Sequence, residues 1–171
     1  MSDTEEKSKL SIFLKEYVPY ILVIIIVLLI KQFVVSPIKV NGDSMLKTLH
    51  DGDIMILNRI GYQFSDIKRF DIVVVDEGSE FIIKRIIGLP GEKVEYKDNV
   101  LYINDKKVKD TYGSDITEDF SVKVPKGSYF VLGDNRTNSM DSRVFGSFKK
   151  KDILGKAGFI LFPFSRFGEK E

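Results

Sequence analysis

From Tyr17 to Ile30 the chain carries no charged residue, and Tyr20 to Ile30 reads YILVIIIVLLI. A helix that is apolar on every face must be covered, either by protein or by lipid. The uncharged run falls short of the ~20 residues that cross a bilayer. Continuing through Lys31 and Gln32 to Phe33, Val34 and Val35 completes the length, and Lys31 then lies where its ammonium can snorkel to the headgroups. A buried core helix is one alternative, but a strand-rich chain of 171 residues could hardly cover it. A cleavable signal peptide is another. Val34 and Ser36 suit the small positions before a cut, yet Pro37 after the bond would obstruct it. The segment 17–35 is read as an uncleaved transmembrane anchor, preceded by a polar tail over 1–16. Charge does not orient it: Lys7, Lys9 and Lys15 precede the span, while Lys31, Lys39 and Lys47 follow it.

Beyond the anchor, Ser36-Pro37 breaks the helix, because a residue before proline is pushed out of the helical region. Short runs rich in Val, Ile and Phe follow: Ile38 to Val40, Ile54 to Leu57, Asp71 to Val75, Phe81 to Ile87, Ser128 to Leu132 and Gly158 to Phe162. Turn signals separate them, among them His50-Asp51-Gly52-Asp53, Glu77-Gly78-Ser79 and Leu89-Pro90-Gly91. A charge-dense stretch, about 92–126, holds a hairpin at Val100 to Ile103 and Lys106 to Val108 around Asn104-Asp105, and reads as a small, partly solvated β insert. The fold expected is mainly β, with bent antiparallel sheets or a barrel-like form over 36–171 and one N-terminal transmembrane helix.

The residue types available narrow the chemistry. There is no cysteine, which excludes disulfides, thiolate catalysis and Cys-bound metal. His50 is the single histidine, so one chain cannot build a multi-His metal site. A net charge of +1, with both signs interspersed, gives no reason to expect nucleic acid as a partner.

Three segments carry chemistry. In Val40-Asn41-Gly42-Asp43-Ser44-Met45 a strand ends in a turn that can present the Ser44 hydroxyl, with freed backbone N–H groups able to face an oxyanion. Most Gly-Asp-Ser triplets are ordinary turns. In Phe81-Ile82-Ile83-Lys84-Arg85-Ile86-Ile87, strand alternation puts Lys84 between Ile82 and Ile86. Either that lysine is desolvated, and its lowered pKa suits a general base, or it sits on a sheet edge and reaches water. The third, Gly133 to Arg143 (GDNRTNSMDSR), packs Asp134, Arg136, Asp141 and Arg143 with Ser139 and Ser142 in one loop. It is not a calcium loop, since Arg136 takes the third position and Phe145 stands where the closing Glu belongs. Paired charges bracing a site fit better. His50, six residues after Ser44 on a turn, reads as a surface residue, which leaves lysine as the base.

Taken in order, Gly-Asp-Ser-Met (42–45), Phe-Asp-Ile-Val-Val (70–74), Lys-Arg-Ile-Ile-Gly-Leu-Pro-Gly (84–91) and the 133–143 loop behind an N-terminal anchor resemble the bacterial type I signal peptidases, in their compact Gram-positive-like form. The resemblance implies a membrane-bound serine endopeptidase that removes signal peptides from exported preproteins after small residues, in an Ala-X-Ala-like pattern, through an acyl-enzyme. It implies Ser44 as nucleophile, Lys84 as general base, and the Ser44 backbone N–H as oxyanion donor. It also implies a Ser139 hydroxyl that orients the lysine, pairs Asp134–Arg85 and Asp141–Arg143, and Met45 in the substrate groove. No metal or cofactor is expected. The tail 1–16 would be cytoplasmic and 36–171 extracytoplasmic, a monomer whose partners are preproteins and membrane lipid. Two positions depart from the pattern: Gly42, where some members carry serine, and Lys47, where proline is common. Two other readings compete. A self-cleaving Ser–Lys repressor would need a DNA-binding helix-turn-helix where this chain has an apolar run. An anchored β domain without catalysis would keep Lys84 protonated and exposed.

Overall fold

The computed structural model describes residues 2–113 and 116–170, with the side chains of 2–12 and 30–33 outside that description. The Lys31 side chain, expected at the headgroups, is among those left out. Helix α1 runs over Ser2–Phe33, so the polar stretch expected as a tail is helical from Ser2. From Tyr20 to Leu29 every α1 side chain is exposed. Among the described residues no helix is long and apolar enough to cross a membrane.

The chain then passes through β1 (Val35–Lys39), β2 (Ile54–Asn58), the single turn α2 (Gly61–Phe64), β3 (Ile72–Asp76), β4 (Phe81–Gly88), β5 (Lys93–Lys97), β6 (Val100–Ile103), β7 (Lys106–Val108) and β8 (Phe120–Lys123). It closes with β9 (Ser128–Leu132), α3 (Ser142–Phe145), β10 (Phe148–Lys149), β11 (Ile153–Phe162) and β12 (Gly168–Glu169). All strand pairs among these are antiparallel. The larger sheet runs β1-β2-β11-β3-β4-β9-β10, with β12 added to β11. It ends on β1 and β10 rather than returning to itself, so the expected bent sheet is present without a closed barrel. Pro37 sits in β1, and an edge strand tolerates the missing N–H.

Position in the sheet explains composition. β3 is buried on both faces over Ile72 to Val75, which suits its unbroken Ile and Val, and β4 is buried from Lys84 to Gly88. The sheet has register shifts in β11 and between Ile86 and Gly88 of β4, and such irregularities bend a sheet. One pairing detail matters for the site. β4 meets β3 along 81–85, but β9 joins only from Arg85 onward. Residues 81–84 therefore keep one backbone edge unpaired.

The stretch 92–126 carries the smaller sheet, β7-β6-β5-β8. Its hairpin turns through Asn104 and Asp105, both at positive φ (49° and 63°), the type I′ geometry that matches strand twist. It is less solvated than its charge suggests. Lys93, Glu95 and Lys97 alternate outward, while Val94, Tyr96, Leu101 and Ile103 pack with Phe130 and Leu132 of β9.

Candidate active site

The turn after β1 is built by short backbone bonds. Gly42 N donates to Asp51 Oδ1 at 2.8 Å, Leu46 N to Asp43 O at 3.1 Å, and Thr48 N and Leu49 N to Met45 O at 3.1 and 2.8 Å. Gly42 has φ +79°, a left-handed conformation in which a serine would be strained. Lys47 also has φ +79°, which proline cannot reach, so this turn differs from one built on proline. Both departures in sequence thus fall at left-handed backbone positions.

Ser44 lies near the start of this turn and Lys84 in the half of β4 with a free edge. Lys84 Nζ and Ser44 Oγ are hydrogen-bonded at 2.8 Å across forty residues of sequence, and Lys84 Nζ also donates to Ile83 O at 3.1 Å. Lys84 is only 4% exposed. That decides between the two readings of the lysine: it does not project into water from an edge. Burial pulls its pKa down to about 8, against a smaller upward pull from the Asp141, Glu80 and Asp134 carboxylates.

The 133–143 loop holds the turn from behind. Asn135 N donates to Ser44 O at 3.0 Å, and Asn135 Nδ2 to Asp43 O at 3.1 Å. Because C=O and N–H oppose each other across a trans peptide, the Ser44 N–H faces away from that loop. Gly133 is required by close approach: a Cβ there would meet the Ser139 side chain and would lie 2.5 Å from Ser44 O.

Arg85, next to Lys84 and on the other face, grips Asp134 with two bonds, Nε to Oδ1 at 2.8 Å and Nη2 to Oδ2 at 2.7 Å. Both side chains are fully buried. Arg85 Nη1 donates to Phe70 O at 2.8 Å, its guanidinium lies 3.7 Å from the Tyr112 ring centre, and Thr48 Oγ1 donates to Asp134 Oδ2 at 2.6 Å. Asp141 accepts from Arg143 Nε and Nη2, both at 2.9 Å, and from Gly133 N at 3.0 Å. It also caps α3 through Arg143 N.

Two expected roles look different in the structure. Ser139 Oγ is buried and makes no hydrogen bond, so the bond to Lys84 is not formed; the lysine's bonds go to Ser44 Oγ and Ile83 O. Met45 does line a cleft of about 230 Å³ together with Val40, Asn41, Ser44, Ile82 and Lys84. Its side chain is nevertheless 1% exposed and belongs to the core with Leu49, Met55 and Leu57, so it forms wall rather than rim. His50 is exposed, as expected.

A second buried arginine, Arg136, braces the loop through partners that the sequence does not identify. Arg136 Nε donates to Gly133 O at 2.9 Å and Nη1 to Thr117 Oγ1 at 3.1 Å, with further bonds to Tyr96 and Asp110. Burial would raise the Asp110 carboxyl, but the Arg136 charge and these bonds outweigh it and hold its pKa below the usual range. The network ties the 133–143 loop to the smaller sheet. The only signal for it was the density of charge in that loop; its partners lie 19 to 40 residues away.

Comparison with known proteins follows the same lines. The family model described as signal peptidase, peptidase S26, matches residues 14–162. The chain is 44% identical to a signal peptidase I of Bacillus amyloliquefaciens, over 96% of each chain. It is 41% identical to signal peptidase I T of Bacillus subtilis, over 93% of this chain and 90% of that one. Signal peptidase IB of Staphylococcus aureus is 39% identical, covering 84% and 86%. Among solved structures, a signal peptidase I from Enterococcus faecalis matches with TM-score 0.50 and 38% identity, over 54% of this chain and 97% of that one.

Proposed function

We propose a division of chemical labour from one premise: the chain belongs to the signal peptidase family, peptidase S26, and is a serine endopeptidase that removes signal peptides from preproteins. Ser44 is the nucleophile and Lys84 the general base. The observation that carries this is the 2.8 Å contact between Ser44 Oγ and a lysine nitrogen whose burial brings its pKa down to about 8.

An extended substrate pairs with the free edge of β4 at 81–83, opposite Val40 and Asn41, and so crosses Ser44. Small side chains before the scissile bond suit a cleft of about 230 Å³ walled by Met45. Neutral Lys84 takes the Ser44 proton as Oγ attacks the carbonyl carbon. The oxyanion meets the Ser44 N–H. Lys84 then protonates the leaving amine, and an ester on Ser44 remains. Water deprotonated by Lys84 attacks that ester, releasing the signal peptide and restoring both residues. Once Ser44 is acylated Lys84 loses its partner, and the Ser139 hydroxyl, free of other bonds, takes over the orienting role. The Arg85–Asp134 and Arg143–Asp141 pairs hold the loop in place.

In the same proposal α1 anchors the chain as a single membrane pass with the β domain on the extracytoplasmic side, monomeric and in contact with lipid. Ten consecutive exposed apolar side chains from Tyr20 to Leu29 support it. The test is cleavage of a preprotein by the detergent-solubilised chain beside Ser44→Ala and Lys84→Ala, from about pH 6 to 10. Only the intact chain should release mature protein, with activity rising through about pH 8. Equal activity in all three sinks the dyad.

A further inference from the structure

The catalytic turn is held from a second direction that the dyad does not explain. Arg166 stands in a single turn near the C-terminus, Phe164–Arg166, and reaches back 118 residues to donate from Nη2 to Thr48 O at 2.8 Å. The same guanidinium pairs with Asp53, 3.1 Å away and 2% exposed, and its Nη1 lies 3.0 and 3.1 Å from the two ring nitrogens of His50. Asp53 in turn accepts from His50 N at 2.8 Å.

Thr48 is thereby clamped on both sides. Its carbonyl is held by Arg166, while its hydroxyl donates to Asp134 at 2.6 Å. Its own N–H, and that of Leu49, end on the carbonyl of Met45, the residue after Ser44. The route from Arg166 to the nucleophile is therefore three short steps, through Thr48 and Met45.

The Arg166 guanidinium carries one N–H, on Nε, that is buried without a hydrogen-bond partner. A desolvated, unpaired N–H is unfavourable, so the contacts to Thr48, His50 and Asp53 hold the guanidinium there.

We propose that Arg166 is a positioning residue for acyl transfer, which fixes the Ser44 turn from the C-terminal side as Asn135 and Asp134 fix it from the loop side. This rests on Ser44 and Lys84 being the catalytic pair. A planar fork meets carbonyl, carboxylate and imidazole at once, which a lysine cannot do.

The test compares the intact chain, Arg166→Gln, Arg166→Lys and Ser44→Ala on a preprotein, well below each variant's unfolding midpoint so that lost stability alone leaves kcat untouched. Displacement of a reacting group by about 1 Å costs on the order of 100-fold. Arg166→Gln should therefore lose about 10- to 100-fold in kcat with KM within about twofold. Arg166→Lys, which keeps a cation opposite Asp53, should fall between. The midpoint of the pH profile should stay put, because Lys84 is untouched. A wild-type kcat in both Arg166 variants, a loss confined to KM, or a moved midpoint overturns the proposal while the dyad stands. Activity surviving in Ser44→Ala removes the dyad itself and the proposal with it.

Discussion

Replacing Lys84 by methionine tests the proposed base without any substrate. The two side chains are of similar length, but methionine carries no proton. In the wild type, folding takes the lysine pKa from 10.5 to about 8. At 1.36 kcal/mol per pH unit, that is worth roughly 3 kcal/mol against the fold when the group is charged. The sign follows from proton counting. Below pH 8 both states carry the proton, and the full penalty is present. Between 8 and 10.5 the unfolded chain binds it and the folded chain does not, so stability rises with pH; above 10.5 the penalty is gone.

Lys84→Met lacks that dependence at every pH, and loses two hydrogen bonds worth about 1 kcal/mol each. The variant should be the more stable protein by roughly 1 kcal/mol at pH 7, and the less stable one at pH 10.5. Other titrating groups cancel in the difference. At about 2–4 °C per kcal/mol, the gap between the two unfolding midpoints should move by roughly 6–12 °C over that range. The chain has no tryptophan, so scanning calorimetry in detergent is the suitable assay. A gap that stays constant with pH would mean that water reaches the ammonium, and the case for Lys84 as a base near neutral pH would fail.

Gly133→Ala places a methyl 2.5 Å from Ser44 O, and a backbone oxygen can yield only by moving Ser44, the proposed nucleophile, so kcat should drop by 10-fold or more on the order expected for misplacement, checked by turnover of a preprotein. Asp134→Asn leaves the Arg85 charge buried and unpaired, a loss of about 3–5 kcal/mol that should lower the unfolding midpoint on the order of 10 °C. It also removes a carboxylate that raises the Lys84 pKa, so the pH–rate midpoint should shift below 8; a shift upward would contradict the assignment. Arg136→Met cuts the tie between the 133–143 loop and the smaller sheet, and amide exchange should quicken in both; exchange unchanged in β5–β8 would show that the tie is not what holds them.

How far the sequence leads depends on how local the deciding interaction is. The lysine among isoleucines in β4 was legible because strand alternation is a two-residue rule. Whether it met water was not, since that depends on β9 joining only at Arg85 and on the turn that closes over the cleft. The Asn104-Asp105 turn was legible for the same local reason. β5 and β8 were not, because their outward lysines and glutamate mask the alternation, and Phe130 of a later strand completes their core. β11 looked short because Gly155 and Lys156 interrupt its apolar pattern; Gly155 is there because the β2 backbone at Asn58 passes too close for a side chain. Arg136 and Arg166 act across 19 to 118 residues, a distance at which a lone sequence shows charge but no partner.

The pair Lys84–Arg85 shows why the site needs both faces of one strand. Two adjacent basic residues are buried side by side, and burial alone would disfavour both charges. Arg85 has a carboxylate in bidentate contact and becomes the anchor for Asp134. Among the described residues no carboxylate contacts Lys84; Asp141, Glu80 and Asp134 act on it only through space, and desolvation outweighs them. Strand alternation separates the two fates by sending one side chain to the loop and the other to the serine. Under the proposed mechanism, exchange of the two residue types would place an arginine, permanently charged, beside Ser44 and leave no general base there. The proposed dyad thus depends on the order Lys-Arg, because one face of β4 meets Asp134 and the other meets the Ser44 turn.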